Sequence, residues 1–209
     1  IGNVSHELRT PISVIKANSE TLLSTKLIKD ENAINFTKAI QSQSERMATI
    51  VNELLSISSM ESGDYPISLD KLNIKNIVDS AIKELNPTTE LSNIKLVNKI
   101  SDVTHIIGDE SAIKIIISNY ITNAIKHSPD DEIIEIDIEK IDKDFCRIKV
   151  IDNGIGIAKK YRERVFERFF RVDKGRSKKI GGTGLGLSIS KNLALMMGYS
   201  VGVESNDPK

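Results

Sequence analysis

Residues 111–128 read Ser111-Ala112-Ile113-Lys114-Ile115-Ile116-Ile117-Ser118-Asn119-Tyr120-Ile121-Thr122-Asn123-Ala124-Ile125-Lys126-His127-Ser128. Apolar positions recur with helical spacing up to the Ser128-Pro129 stop, which predicts one long helix over 111–127. Asn119, Asn123 and Lys126 stand at i, i+4 and i+7, one stripe carrying two amide oxygens and an ammonium. Neutral oxygen ligands beside a cation suit a divalent metal bound to phosphates, which themselves bring most of the negative charge. A merely polar outer face of the helix is the plain alternative.

Outward from this helix the pattern alternates between helix and strand. Ile74, Ile77, Val78, Ala81, Ile82 and Leu85 have helical spacing; 95–99 and 105–107 read as short strands. Ile133 to Ile138 alternates apolar and charged residues like a half-buried strand, and 147–151 is another. This half of the chain is expected to be an α/β sandwich. Its single Cys146 and His105 fall in strand contexts and read as structural.

The N-terminal part differs in class. From Asn3 to Ser62 there is no glycine, and the only breaks are Pro11 and a polar segment over 24–32, so two helices joined by a short turn are expected. Phe36, Ile40, Gln43, Met47, Ile50, Leu54 and Ile57 step by alternating four and three, a heptad pattern that Val51 and Leu55 widen. So wide an apolar stripe predicts an antiparallel helical hairpin that dimerises into a four-helix bundle, the alternative being packing on the rest of the same chain. Gly63-Asp64-Tyr65-Pro66 is a turn-rich break. The expected boundaries are 1–62 for the helical domain, 63–69 for a linker and 70–209 for the α/β domain.

The 209 residues carry 29 Lys+Arg against 29 Asp+Glu, and that neutral balance argues against a nucleic-acid-binding domain. A hydrophobic share of 39% with 28% charged residues is that of a globular chain. One cysteine builds neither an internal disulfide nor a cysteine metal site. The longest apolar runs fall well short of the about 20 residues of a spanning helix, so no direct membrane contact is expected of this stretch. A start at Ile1 without Met or signal pattern predicts a piece of something longer.

Three further segments carry chemistry. In Ser5-His6-Glu7-Leu8-Arg9-Thr10-Pro11 the metalloprotease pattern fails, because position 10 is Thr10 and not histidine. Pro11 removes the amide that would bond the Glu7 carbonyl, a costly feature to place beside His6. A neutral imidazole offers one ring nitrogen as nucleophile, and Glu7 can bond the other. In Asp152-Asn153-Gly154-Ile155-Gly156-Ile157 the glycines allow a tight turn and close approach of a flat ring, while Asp152 can accept from an exocyclic amine. Gly181-Gly182-Thr183-Gly184-Leu185-Gly186-Leu187-Ser188 precedes a helical stretch to Met197 and offers backbone amides to an anion. It is neither a P-loop, which needs Lys where Leu187 stands, nor a Rossmann fingerprint, which needs glycine at 187.

In this order the segments resemble the catalytic core of bacterial sensor histidine kinases of two-component signalling. Ser5 to Pro11 is similar to the family's H box, Asn119 to Ser128 to its N box, Asp152 to Ile157 to its first glycine box. Arg164 to Asp173 resembles the F box and Gly182 to Leu187 the second glycine box. The resemblance implies a dimerisation and histidine phosphotransfer domain followed by an ATP-binding domain with a Bergerat-type (GHKL) α/β sandwich. By it, His6 attacks the γ-phosphorus of ATP; Asn123 is the main Mg²⁺ ligand, with Asn119 supporting metal and phosphates; Lys126 contacts phosphate. Asp152 reads the adenine amine, and Gly154, Gly156, Gly182, Gly184, Leu185 and Gly186 shape the nucleotide pocket. Arg171 approaches the γ-phosphate, Phe166, Phe169 and Phe170 pack the base of a lid, and 172–180, with Lys174, Arg176, Lys178 and Lys179, form that lid.

The resemblance further implies that Glu7 supports the kinase chemistry and that Thr10 places a water for dephosphorylating the partner. That partner is a response regulator receiver domain, and the parent protein is anchored in the inner membrane with this part in the cytoplasm. The family continues past a segment such as 198–205 into a further strand, which is expected to be missing here. Two rivals remain: an ATPase of the same nucleotide fold, and a dimeric scaffold without catalysis. The ATPases place a glutamate base at the position of Asn119, and an amide cannot take that proton.

Overall fold

The computed structural model describes residues 2–24, 31–89, 93–102, 104–172 and 182–205. The chain divides into two compact units, Ile1–Gly63 and Asp64–Lys209.

The first unit is a helical hairpin. Helix α1 spans Gly2–Ser24 and packs along α2, Glu31–Ser62. Pro11 lies inside α1 and is fully buried, as are Ile50 and Ile57 of the heptad stripe. Val51 and Leu55, which widen that stripe, remain 43% and 64% exposed. The expected connecting turn falls at 25–30, outside the described residues.

The second unit begins with a strand that periodicity did not single out, β1 (Asp70–Asn73), followed by α3 (Ile74–Thr89), β2 (Lys95–Asn98) and β3 (His105–Gly108). Then come α4 (Glu110–His127), β4 (Ile133–Lys140), β5 (Cys146–Ile151) and α5 (Gly186–Met196), with short 3-10 turns at Lys159–Tyr161 and Arg164–Phe166. The main sheet has the order β2-β4-β5, parallel between β2 and β4 and antiparallel between β4 and β5. β1 and β3 form a separate antiparallel ribbon with Leu72 opposite Ile106. The four-residue β1 is too short to show an alternation of its own, and pairing with β3 makes it a strand.

The two faces of the sheet follow from the period of two along a strand. Ile134 and Ile136 of β4 are fully buried, under helices that include α4, which also packs against α3 and α5. The intervening residues face outward, where Lys99 pairs with Glu135 at 2.6 Å and Lys149 with Glu139 at 2.7 Å. His105 and Cys146 lie on strands, as expected, and both are exposed there. Residues 199–205 form no strand; Gly202 instead accepts a hydrogen bond from the Tyr120 hydroxyl at 3.2 Å.

Helix α4 is tied at both ends. Asp109 caps it with extended backbone, its Oδ1 accepting from the Ala112 N–H at 2.8 Å. The other oxygen, Oδ2, accepts from the Ser68 N–H at 2.9 Å, and these backbone bonds hold the carboxyl below the usual carboxylate range. At the far end the Ser128 N–H returns to the Ala124 carbonyl, and Lys126 and His127 occupy the last turn, where the helix dipole favours cations. Ala112, Ile113, Ile117, Ile121, Ala124 and Ile125 are buried, which leaves the Asn119, Asn123 and Lys126 stripe half-buried beside them.

Candidate functional site

The stripe on α4 meets the start of α5 through one amide. Asn119 Nδ2 donates to the Gly186 carbonyl at 3.0 Å and to Ser190 Oγ at 3.1 Å. The contact is close at Gly186, where an ideal Cβ would stand 3.1 Å from Asn119 Oδ1 and would push the amide by a few tenths of an ångström. Among the described residues no hydrogen bond engages the side chain of Asn123. The Lys126 ammonium lies over the second glycine segment, 3.6 Å from where a Cβ of Gly182 would be. Gly182 has φ +110, a backbone that side chains disfavour.

The first glycine segment leaves β5 and turns against the C-terminal end of α4. Asp152 Oδ1 accepts from the Gly154 N–H at 2.8 Å, and the Ile155 N–H reaches the His127 carbonyl at 3.4 Å. A Cβ on Gly154 would lie 2.7 Å from both Asp152 Oδ1 and the His127 carbonyl oxygen, so only glycine fits between them. Gly156 is required for a different reason, its φ of +66. Asn153 points away from the turn and donates to Glu132 at 3.0 Å.

The second glycine segment is held from the F-box side. Arg171 Nη1 donates to the Gly182 carbonyl at 3.1 Å, and the Phe169 N–H donates to the Gly184 carbonyl at 2.9 Å. Phe169 adopts φ +60, a strained conformation for an aromatic residue, and Gly184 must be glycine because a Cβ would stand 3.0 Å from Phe169 Cα. Phe170 packs on Tyr161 with ring centroids 5.9 Å apart and receives Arg164 on its face. Phe166 is half-buried. Leu185 is fully buried, and its N–H bonds Thr183 Oγ1 at 3.2 Å. Its side chain packs the core.

Asn119, Lys126, Arg171 and Gly182, Gly184 and Gly186 thus converge, with Asp152 and Gly154 against the end of the same helix. Two cations and the N-terminus of α5 make a site for an anion. The His127 imidazole is held below the ordinary histidine range, first by desolvation and then by Lys126, with Asp152 opposing and Arg171 adding to the effect. No group of three or more His, Cys, Asp or Glu that could hold a metal occurs among the described residues. The amide oxygens of Asn119 and Asn123 fit a divalent ion whose remaining ligands are phosphate and water.

His6, Glu7 and Thr10 lie in α1, in the other unit, and their side-chain geometry is outside what the structure describes. The segment read as a lid, 172–180, lies outside the described residues as well, apart from Val172. Ser190 and Thr183 were missed by the sequence reading. Ser190 stands four residues after Gly186 on α5, a spacing that puts a hydroxyl over the helix start, but no local pattern names its partner.

Residues 1–63 match the family model of the His Kinase A (phospho-acceptor) domain, and 108–209 match that of the histidine kinase-, DNA gyrase B- and HSP90-like ATPases. The chain is 36% identical over 195 residues to the sensor-like histidine kinase SenX3 of Mycolicibacterium smegmatis, covering 93% of this chain and 50% of that protein. It is 34% identical over 211 residues to the sensor histidine kinase WalK of Bacillus subtilis, covering 100% of this chain and 34% of WalK. The chain therefore spans half or less of the length of these relatives. Among solved structures, full-length ShkA in complex with AMPPNP superposes with a TM-score of 0.71 at 27% identity, over 98% of this chain and 42% of ShkA. No helix among the described residues is long and apolar enough to cross a membrane.

Proposed function

The chain belongs to the sensor histidine kinases of two-component signalling, and from that premise we propose that it phosphorylates itself on His6 with ATP and passes the phosphoryl group to an aspartate of a response regulator receiver domain. The observation that carries this reading is the convergence of Asn119, Lys126 and Arg171 on the second glycine segment, beside the Asp152 turn. Asp152 takes the adenine amine through its carboxylate; the glycine turns around it leave room for the ring. Lys126 and Arg171 neutralise phosphate oxygens, and the N–H groups at the start of α5 add to that field.

A Mg²⁺ ion held by the amide oxygens of Asn123 and Asn119 would screen the phosphate charges that repel a nucleophile. His6 attacks the γ-phosphorus with its neutral ring nitrogen: an N–P bond forms, the P–O bond to ADP breaks, and ADP leaves with the electron pair. Glu7 holds the proton on the other ring nitrogen and stabilises the charge that develops there. In the second transfer a receiver aspartate oxygen attacks the same phosphorus and the N–P bond breaks. Thr10 orients a water for the reverse, dephosphorylating activity on that partner. The kinase acts as a homodimer through the hairpin, whose Val51 and Leu55 remain exposed in the single chain. It forms the cytoplasmic part of a protein anchored in the inner membrane.

Incubation with γ-labelled ATP and Mg²⁺ tests the reading. Acid-labile, alkali-stable label on the protein, absent in His6→Gln, is the expected result. Phosphate release without protein label would instead favour the ATPase, and neither product would favour the scaffold. The Asn119 amide speaks against the ATPase, because its nitrogen is bound to Gly186 and Ser190 and neither end of an amide serves as a base.

A further inference from the structure

The contact between α4 and α5 assigns a role to Ser190, a residue that no sequence motif brought forward. Ser190 is fully buried, and its Oγ donates to the Gly186 carbonyl at 3.0 Å, one turn back on its own helix. With its proton committed there, the hydroxyl can only accept from its other neighbour. The Gly186 carbonyl is also an acceptor only. Asn119 therefore faces two acceptors, at 3.0 Å and 3.1 Å, and its amide can satisfy them in one orientation alone, with Nδ2 toward α5. Turning the amide over would set Oδ1 against two oxygens in a half-buried place, at the cost of both bonds and with added repulsion. The Asn119 oxygen is thereby the one polar atom of that side chain left to a ligand, and Gly186 keeps the space beside it clear.

We propose that Ser190 is a positioning residue: the triangle of Ser190, Gly186 and Asn119 locks the Asn119 amide so that Oδ1 is presented as a neutral oxygen ligand to the metal–nucleotide complex. The proposal rests on the nucleotide-binding part of the function proposed above. A serine at this position is worth more than its packing, since an apolar residue of similar size would leave one amide proton unmatched and the amide free to reorient.

Two measurements on the full chain test it. In nucleotide-free protein, the side-chain amide protons of Asn119 should exchange slowly with solvent by NMR, and faster in Ser190→Ala. Calorimetric titration with ADP should show Ser190→Ala weakening binding about tenfold in the presence of Mg²⁺, the size expected for one buried hydrogen bond. Binding of ADP in EDTA should be unchanged. Fast Asn119 exchange in the wild-type protein, an unaltered Mg²⁺-dependent affinity, or equal losses with and without Mg²⁺ would each overturn the proposal. A wild-type protein that binds ADP yet forms no phosphohistidine would remove the kinase reading and leave this one standing. No binding of ADP at all would overturn both.

Discussion

The two units finish their surfaces in different ways. On the outer face of the α/β unit, Glu135, Asp137 and Glu139 alternate with the buried Ile134 and Ile136, and Lys99 pairs with Glu135 and Lys149 with Glu139. The helical unit buries Ile50 and Ile57 but leaves Val51 and Leu55 in solvent one position further round the helix. A sheet has two faces and can give one to water by alternation, whereas a two-helix hairpin cannot enclose a stripe wider than a single seam. The α/β unit also exposes apolar side chains, Phe145, Ile155 and Leu195 among them, but those of the hairpin flank its buried heptad stripe, and the proposed self-association is therefore assigned to the hairpin.

The largest effects should come from the two cores and should be alike. Ile134→Ala in the sheet and Ile57→Ala in the hairpin each remove a fully buried side chain and should cost about 2–5 kcal/mol, measured by denaturant unfolding. A value well below this at Ile57 alone would mean that the hairpin core is looser than the sheet core, and the comparison would fail.

Next comes the exposed stripe. Burying a Leu or Val side chain is worth about 1.5–3 kcal/mol. Leu55→Lys combined with Val51→Lys should therefore raise the dimer dissociation constant at least about tenfold in sedimentation experiments. Nucleotide binding by the other unit should be unaffected. An unchanged dissociation constant would move the association surface elsewhere.

Asp109→Ala should cost about 1 kcal/mol, the usual worth of an N-cap. The folded-state pKa of Asp109 is depressed, so its contribution is present above the unfolded carboxylate value and lost as pH falls through the folded one. The gap between wild type and variant should thus be full at pH 7 and shrink below the ordinary carboxylate range, as followed by thermal unfolding. Growth of the gap toward low pH would refute the sign.

The smallest effect belongs to the charged sheet face. Glu135→Gln breaks the pair with Lys99, both partly exposed, and should change stability by about 0.5 kcal/mol or less, diminishing further with salt. A loss as large as that of a core residue would show that the outer face is held together by its ion pairs and is not merely kept soluble by them.

Much of the architecture was legible in local pattern. The helices at 74–89 and 110–127 and the strands at 133–140 and 146–151 start and stop within a few residues of the positions that periodicity and the Ser128-Pro129 stop marked. The strand at 70–73 was not, because four residues carry no period and its identity comes from a ladder to 105–108. At the site, the amide stripe and both glycine segments could be picked out from residue type and spacing. The burial of Leu185 and the strained Phe169 could not, since they arise where the F-box segment crosses the second glycine turn.

The amino-acid sequence by itself determined the kinds of element, the split into a helical and an α/β part, and the chemical inventory of the candidate site in the α/β part: amides and a lysine on one helix, an aspartate and glycines in turns. These are properties of residues near one another in the chain, where covalent geometry sets who shares a face. Only the tertiary structure decided which atom of Asn119 is left for a ligand, that Arg171 rests on the Gly182 carbonyl, and why Gly154 and Gly184 are needed. Asn119 meets Gly186 and Ser190 across 67 and 71 positions of chain. Contacts at that separation depend on how helices and loops pack together, and no period of 2 or 3.6 encodes them.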